Sequence, residues 1–187
     1  CAIPLIRGNY RSRSREAILQ EMQQLAKKGV KEHILIAQDT TRYGIDTGDS
    51  LASLLEAAAK IEGVEWLRAL YMYPDELDEK TLDVMAKYQN ICKYLDLPLQ
   101  HASPSLLKSM NRRGTLDHIR KMLRGARERG FCLRTTFIVG FPGETEDDFR
   151  QLMDFTEEMQ FDRMGAFTCS PEDDTPAFDM PGQIAEE

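Results

Sequence analysis

The feature that most constrains this chain is a change of hydrophobic period that recurs along it. Short apolar runs at Ile34–Ala37, Trp66–Met72, Tyr94–Leu99, Phe131–Val139 and Met164–Cys169 alternate with stretches whose apolar residues return at helical spacing. Leu51, Leu54, Leu55 and Ala58 form one such stripe, and Leu116, Ile119, Met122, Leu123 and Ala126 form another. Ser14 is placed to cap a first helix carrying Ile18, Met22, Leu25 and Ala26, with Gly29 at its end. Pro104 suits the first turn of a short helix, and Thr145-Glu146-Asp147-Asp148 gives a cap and an acidic first turn to the last one. Pro98 is expected to stop the third strand.

Strands that alternate with helices pair in parallel, and their crossovers wind into an open or closed barrel. The expected fold is therefore α/β, a β/α barrel open or closed; the family resemblance given below implies the open (partial) β/α barrel, of about six βα units. The first element seen is a helix, so a strand is expected to precede Cys1, and its loss would leave an exposed sheet edge. Residues 1–172 are expected to form the core domain. Residues 173–187 are Pro-, Asp- and Glu-rich and are expected to be a linker toward a C-terminal domain.

Composition narrows the function classes. With 24 basic and 31 acidic residues the net charge is −7, so direct nucleic-acid binding is not expected. No apolar run approaches the roughly 18 residues of a membrane span, and no secretory signal is seen, which points to the cytoplasm. The four cysteines are widely separated, so neither a disulfide framework nor a closely spaced ligand pair is expected. Cys92, Cys132 and Cys169 read as small buried apolar side chains.

In β/α barrels the chemistry sits where strands end, so the strand-end loops are the places to search. Three stand out: Gln38 to Asp46, Pro98 to Ser103, and Gly140-Phe141-Pro142-Gly143-Glu144-Thr145. In the last, two glycines allow close backbone approach, Pro142 stiffens the turn, and Glu144 can offer hydrogen bonds to a ligand. A tight strand-to-helix turn explains the same residues equally well. His101 could bind metal or act as acid–base, or simply be hydrogen-bonded, whereas His33 and His118 are expected at the surface. Arg112-Arg113-Gly114 suits an anion or a solvated turn. Asp39 and Asp46 are too far apart for a paired-carboxylate hydrolase.

Five segments then point to one family. Cys1-Ala2-Ile3-Pro4-Leu5-Ile6-Arg7-Gly8 resembles the tail of the CxxxCxxC-x-I-P-x-x-R-G segment of the radical S-adenosylmethionine (SAM) methylthiotransferases. Phe137-Ile138-Val139-Gly140-Phe141-Pro142-Gly143-Glu144-Thr145 resembles that family's strand and turn. Gln38 to Gly44, Leu95 to Ser103 and Leu106 to Gly114 match it in the same order. One branch of the family modifies an adenosine of transfer RNA. The other modifies an aspartate of a small-subunit ribosomal protein. Ala37-Gln38-Asp39-Thr40 and Gln100-His101-Ala102-Ser103 resemble the ribosomal-protein branch, with the transfer-RNA branch and a non-catalytic barrel module as the alternatives.

The resemblance implies a 4Fe-4S cluster held by three thiolates, with SAM on its open iron and a 5′-deoxyadenosyl radical as the oxidant. A second cluster in an N-terminal domain and a second SAM are implied as sources of the methylthio group. Cys1 corresponds to the third cysteine of the triad. Gln38, Gln100, Arg134, Val139, Gly140 and Glu144 are implied to border SAM and substrate, Arg134 on condition that its side chain faces the barrel interior. The implied partner is a small-subunit ribosomal protein. One thiolate cannot hold the cluster, so this chain alone is expected to bind none and to be inactive.

Overall fold

The computed structural model describes residues 6–170 and 172–184. Its helices and strands alternate, with two helices in succession after β3: α1 (Arg15–Lys27), β1 (Glu32–Leu35), α2 (Leu51–Ala58), β2 (Trp66–Ala69), α3 (Glu79–Lys87), β3 (Tyr94–Gln100), α4 (Pro104–Ser109), α5 (Leu116–Glu128), β4 (Cys132–Val139), α6 (Glu146–Met159) and β5 (Arg163–Thr168). The caps lie where the residue types place them. Ser14, Ser50, Asp78, Thr115 and Thr145 each accept a backbone N–H of the following turn, and Thr145 with Asp148 completes a reciprocal capping box.

The strands run in chain order, and every pairing is parallel. β1 pairs with β2, and β3, β4 and β5 form a second ladder. A parallel bridge from Leu67 to Ile91 joins the two ladders, supported by the Met72 N–H donating to the Asp96 carbonyl at 3.0 Å. The result is one arc rather than two separate sheets. Neighbours in chain order define barrel winding, in contrast to the reversed order of a doubly wound sheet. Among the described residues β1 and β5 do not pair with each other, so the arc stays open.

Period-two alternation divides each strand between two environments. Leu67, Leu95, Leu97, Leu133 and Phe137 pack with Leu55, Met85, Met122, Leu123, Leu152 and Phe155 of the helices in one core. The intervening residues face the concave side. Ile34, Trp66 and Phe167 stand exposed there.

Several boundaries differ from the sequence reading. β1 starts at Glu32 and ends at Leu35, because the ladder is set by backbone bonds and by the Arg68–Glu32 pair rather than by the apolar window; Ile36 lies beyond it. β3 runs through Pro98 to Gln100. The pairing register shifts between Leu97 and Gln100, and at that irregularity Pro98, which has no N–H to donate, is tolerated. His33 is buried rather than at the surface, because the alternation turns it toward the helices; His118 is exposed. Cys92, Cys132 and Cys169 are half-buried, since each lies at or beyond a strand end instead of inside the core.

Leu67 joins the two ladders, accepting from Cys92 N–H at 2.9 Å and donating to the Asn90 carbonyl at 2.8 Å, with its side chain fully buried. Leu67→Ala should therefore lower unfolding free energy by about 2–5 kcal/mol in urea titrations, at an unchanged m-value.

Candidate functional site

Strand ends meet along one rim. At the end of β2 Tyr71 takes φ 59°, at the end of β3 Gln100 takes φ 71°, and after β4 Gly140 takes φ 73°. Left-handed backbone costs a non-glycine residue on the order of 1–3 kcal/mol and persists only where the surroundings enforce it. Two such residues on adjacent strand ends mark a place where the chain is bent to present groups outward.

The first rim loop is tied down from both sides. The Thr40 hydroxyl donates to the Leu70 carbonyl at 2.8 Å, and the Tyr73 N–H donates to the Thr41 hydroxyl at 3.2 Å. The Tyr10 hydroxyl donates to the Asp39 carbonyl at 3.0 Å. Gly44 is required, because a Cβ there would lie 2.2 Å from the Asp49 carbonyl carbon and φ is +86°. Asp39 accepts from Thr41, yet burial raises its carboxyl above the ordinary range, and the charge of Asp75 adds to that. Gln38, beside it, remains exposed.

The second and third loops are clamped together behind the rim. His101 is buried, and its Nδ1 accepts the Ser103 N–H at 2.9 Å, so the ring proton sits on Nε2, 3.5 Å from the Glu144 carboxylate. Glu144 accepts the Phe141 N–H at 3.1 Å. Its side chain is only 5% exposed, because the tight backbone bend brings it inward. Asp148 of α6 gathers the hydroxyls of Ser103, Ser105 and Thr145. Those bonds, Ser103 first and then Thr145, hold its carboxyl down to about 2.

The other implied residues fall into place around this clamp. The Val139 carbonyl accepts the Cys169 N–H at 2.7 Å, which closes β5 onto the rim beside Gly140. Burial raises the Cys169 thiol, with the Glu144 charge as a second cause. The segment expected to be a linker returns to the same place: the Gly182 carbonyl accepts the Gly143 N–H at 2.9 Å, and Thr175 is buried. Arg134 faces the concave side, where it meets Asp96 at 3.4 Å, but it belongs to the N-terminal half of β4 and lies well below the rim. Arg112 stacks on the Tyr73 ring at 4.6 Å instead of standing free as an anion site. Cys1 lies outside the described residues. Tyr71, half-exposed at the rim, was hidden in the sequence because the apolar run through Met72 reads as continuous strand.

Comparison with known proteins places this geometry among relatives. The model of the radical SAM superfamily matches residues 1–156. The ribosomal protein uS12 methylthiotransferase RimO of Clostridioides difficile (strain 630) is 52% identical over 191 aligned residues, covering all of this chain and 43% of that protein. The protein of the same description from Pelotomaculum thermopropionicum is also 52% identical, with the same coverage. The chain thus spans less than half the length of these curated relatives. Among solved structures, the radical SAM methyltransferase TsrM of Kitasatospora setae superposes with a TM-score of 0.68 at 20% identity, over 83% of this chain and 31% of that one. Methylornithine synthase superposes with a TM-score of 0.63 at 14% identity, over 97% and 52%. These likenesses support the open-barrel fold alone.

The Asp148 clamp gives a pH dependence with a fixed sign. Its folded value, about 2, lies below the ordinary 3.8. Below pH about 4 the unfolded chain binds this proton before the native one does, so the stabilisation is present above that pH and is lost as pH falls toward 2. Urea midpoints measured at pH 5 and pH 3 should drop less in Asp148→Asn than in the unaltered chain. An equal drop in both would show that the clamp carries no such linkage.

Proposed function

This chain belongs to the radical SAM superfamily, and from that premise we propose that it is the core of a methylthiotransferase acting on the β-carbon of an aspartate in ribosomal protein uS12. The observation that carries the reading is identity of about one residue in two with proteins of that description, sustained over the whole chain. The ordered rim at the strand ends supports it. In this reading the partner is the small-subunit ribosomal protein, the location is the cytoplasm, and the residues past 172 lead toward a further domain.

The rim suits SAM. Gln38 presents an exposed amide, and Gln100 presents another on a strained, half-exposed backbone. A Cβ at Gly140 would meet nothing closer than 4.0 Å, so a ligand can approach the backbone there. Val139 and Glu144 act by holding the turn, through Cys169 and Phe141 respectively. Tyr71 adds an aromatic face. Arg134 takes the lower wall of the interior.

The described residues do not supply the iron–sulfur site. None of them forms a group of three metal-capable side chains. Cys92 lies just before β3 and Cys132 opens β4, whereas Cys169 follows β5, about 26 Å farther along the strand direction at roughly 3.3 Å per residue. In this reading the cluster ligands are Cys1 and the two further thiolates that the family motif implies. Cluster and SAM together supply the one-electron chemistry that breaks an unactivated C–H bond. The chain's own part is to orient the nucleoside on the rim and to hold the two loops in register.

Two experiments test this. The full-length protein, reconstituted with iron, sulfide and SAM, should add a methylthio group to uS12 and not to transfer RNA, as read by mass spectrometry of each substrate. Modification of transfer RNA alone would replace this reading with the other branch. The 187-residue chain alone, treated in the same way, should show no stable 4Fe-4S absorption; a stable cluster there would overturn the assignment of its ligands.

A further inference from the structure

The strand register brings three charged residues side by side on the concave face. Asp96 of β3 is opposite Arg134 of β4, and Arg134 is opposite Arg163 of β5. The charges do not balance. Arg134 reaches Asp96 by a single contact of 3.4 Å, with its side chain 48% exposed. Arg163 is exposed and has no ion pair among the described residues. The neighbouring Asp162 is committed elsewhere, accepting from the Leu133 N–H and pairing with Arg127. Arg68 of β2, level with Cys92 rather than with Asp96, is already matched by Glu32.

The helix side of the molecule offers the contrast. Arg120, Arg124 and Arg129 each meet a carboxylate, Glu158 for the first two and Glu79 with Asp83 for the third. In a chain of net charge −7, Arg134 and Arg163 are guanidinium groups that carboxylates do not saturate; Arg42, Arg112 and Arg113 are others among the described residues, but the concave pair stands on adjacent strands at one level. The space above the pair is also open. Gly165 lies one tier up, opposite Thr136, and a Cβ built on it would meet only the Phe167 ring, at 4.0 Å. Phe167 and Ile138 flank the next tier toward the rim.

We propose that Arg134 and Arg163 form the carboxylate-binding subsite for the target aspartate of the protein substrate. This rests on the methylthiotransferase reading above. An acidic side chain entering over Gly165 meets two guanidinium forks from adjacent strands, and its methylene carbon then faces the rim. Guanidinium forks match a carboxylate's planar geometry and select it over an amide, which cannot accept at both positions.

The test is binding of uS12-derived peptides by the full-length protein, one carrying the target aspartate and one with asparagine in its place, read by fluorescence anisotropy. The unaltered protein should bind the aspartate peptide about 10–100-fold more tightly, the range for charge-assisted hydrogen bonds. Arg163→Met is the primary variant, because removing this guanidinium leaves no carboxylate unpaired and should not disturb folding. It should bring the two affinities together, and Arg163→Lys should restore part of the difference. Arg134→Met should act in the same direction but would strand buried Asp96, so its melting temperature is measured alongside. Discrimination that survives Arg163→Met overturns the subsite while leaving the substrate assignment intact. Failure of the unaltered protein to bind either peptide overturns both.

Discussion

The Thr135 hydroxyl, fully buried between β3 and β4, donates to the Leu97 carbonyl at 2.9 Å and fixes the register on which the rest of the molecule depends. Side chains alternate along a strand, so a slip of one residue would move every core group to the concave face and every concave group into the core. With the register as it is, Leu133 and Phe137 reach the helices and Arg134 and Thr136 face inward. The same hydroxyl lies 3.4 Å from the Leu99 N–H, just where the pairing shifts. One buried oxygen thus both sets the ladder and accommodates the irregularity that turns Gln100 into its left-handed conformation.

From that register the division of labour follows. Residues at the strand ends are held by polar bonds between loops, and residues inside the strands are held by packing against helices. The rim clamp is unusual in the number of groups it satisfies at once. Asp148 caps its own helix and also binds Ser103 of the loop after β3 and Ser105 of α4, so the first turn of α6 draws β3's loop toward its own. His101 and Glu144 repeat the connection one layer deeper. The strain at Gln100 persists beside this clamp, and that at Tyr71 where its carbonyl accepts the Thr40 N–H.

Much of this was legible in the residues, and for identifiable reasons. Parallel alternation showed in the switch between apolar runs and helical stripes, and Thr145 with Asp148 announced a helix start. The rim loops containing Gln38, Gln100 and Gly140 followed from where strands must end. Other features depend on distances that no pattern encodes. Pro98 looks like a stop unless the irregularity that accommodates it is known. His33 looks exposed until the face it occupies is known. The contact of Glu144 with the Phe141 N–H depends on how tightly its turn bends. Arg163 carried no signal, because its importance comes from standing next to Arg134 on another strand.

In the proposed function, the C-terminal strand ends form the nucleoside site and the concave face below receives the substrate. A crystal structure of the reconstituted full-length protein with SAM bound addresses it most directly. The account predicts the adenosine along the rim, in contact with Gln100 and the Gly140 backbone. Adenosine bound at the opposite strand ends, near Cys92 and Cys132, would contradict it.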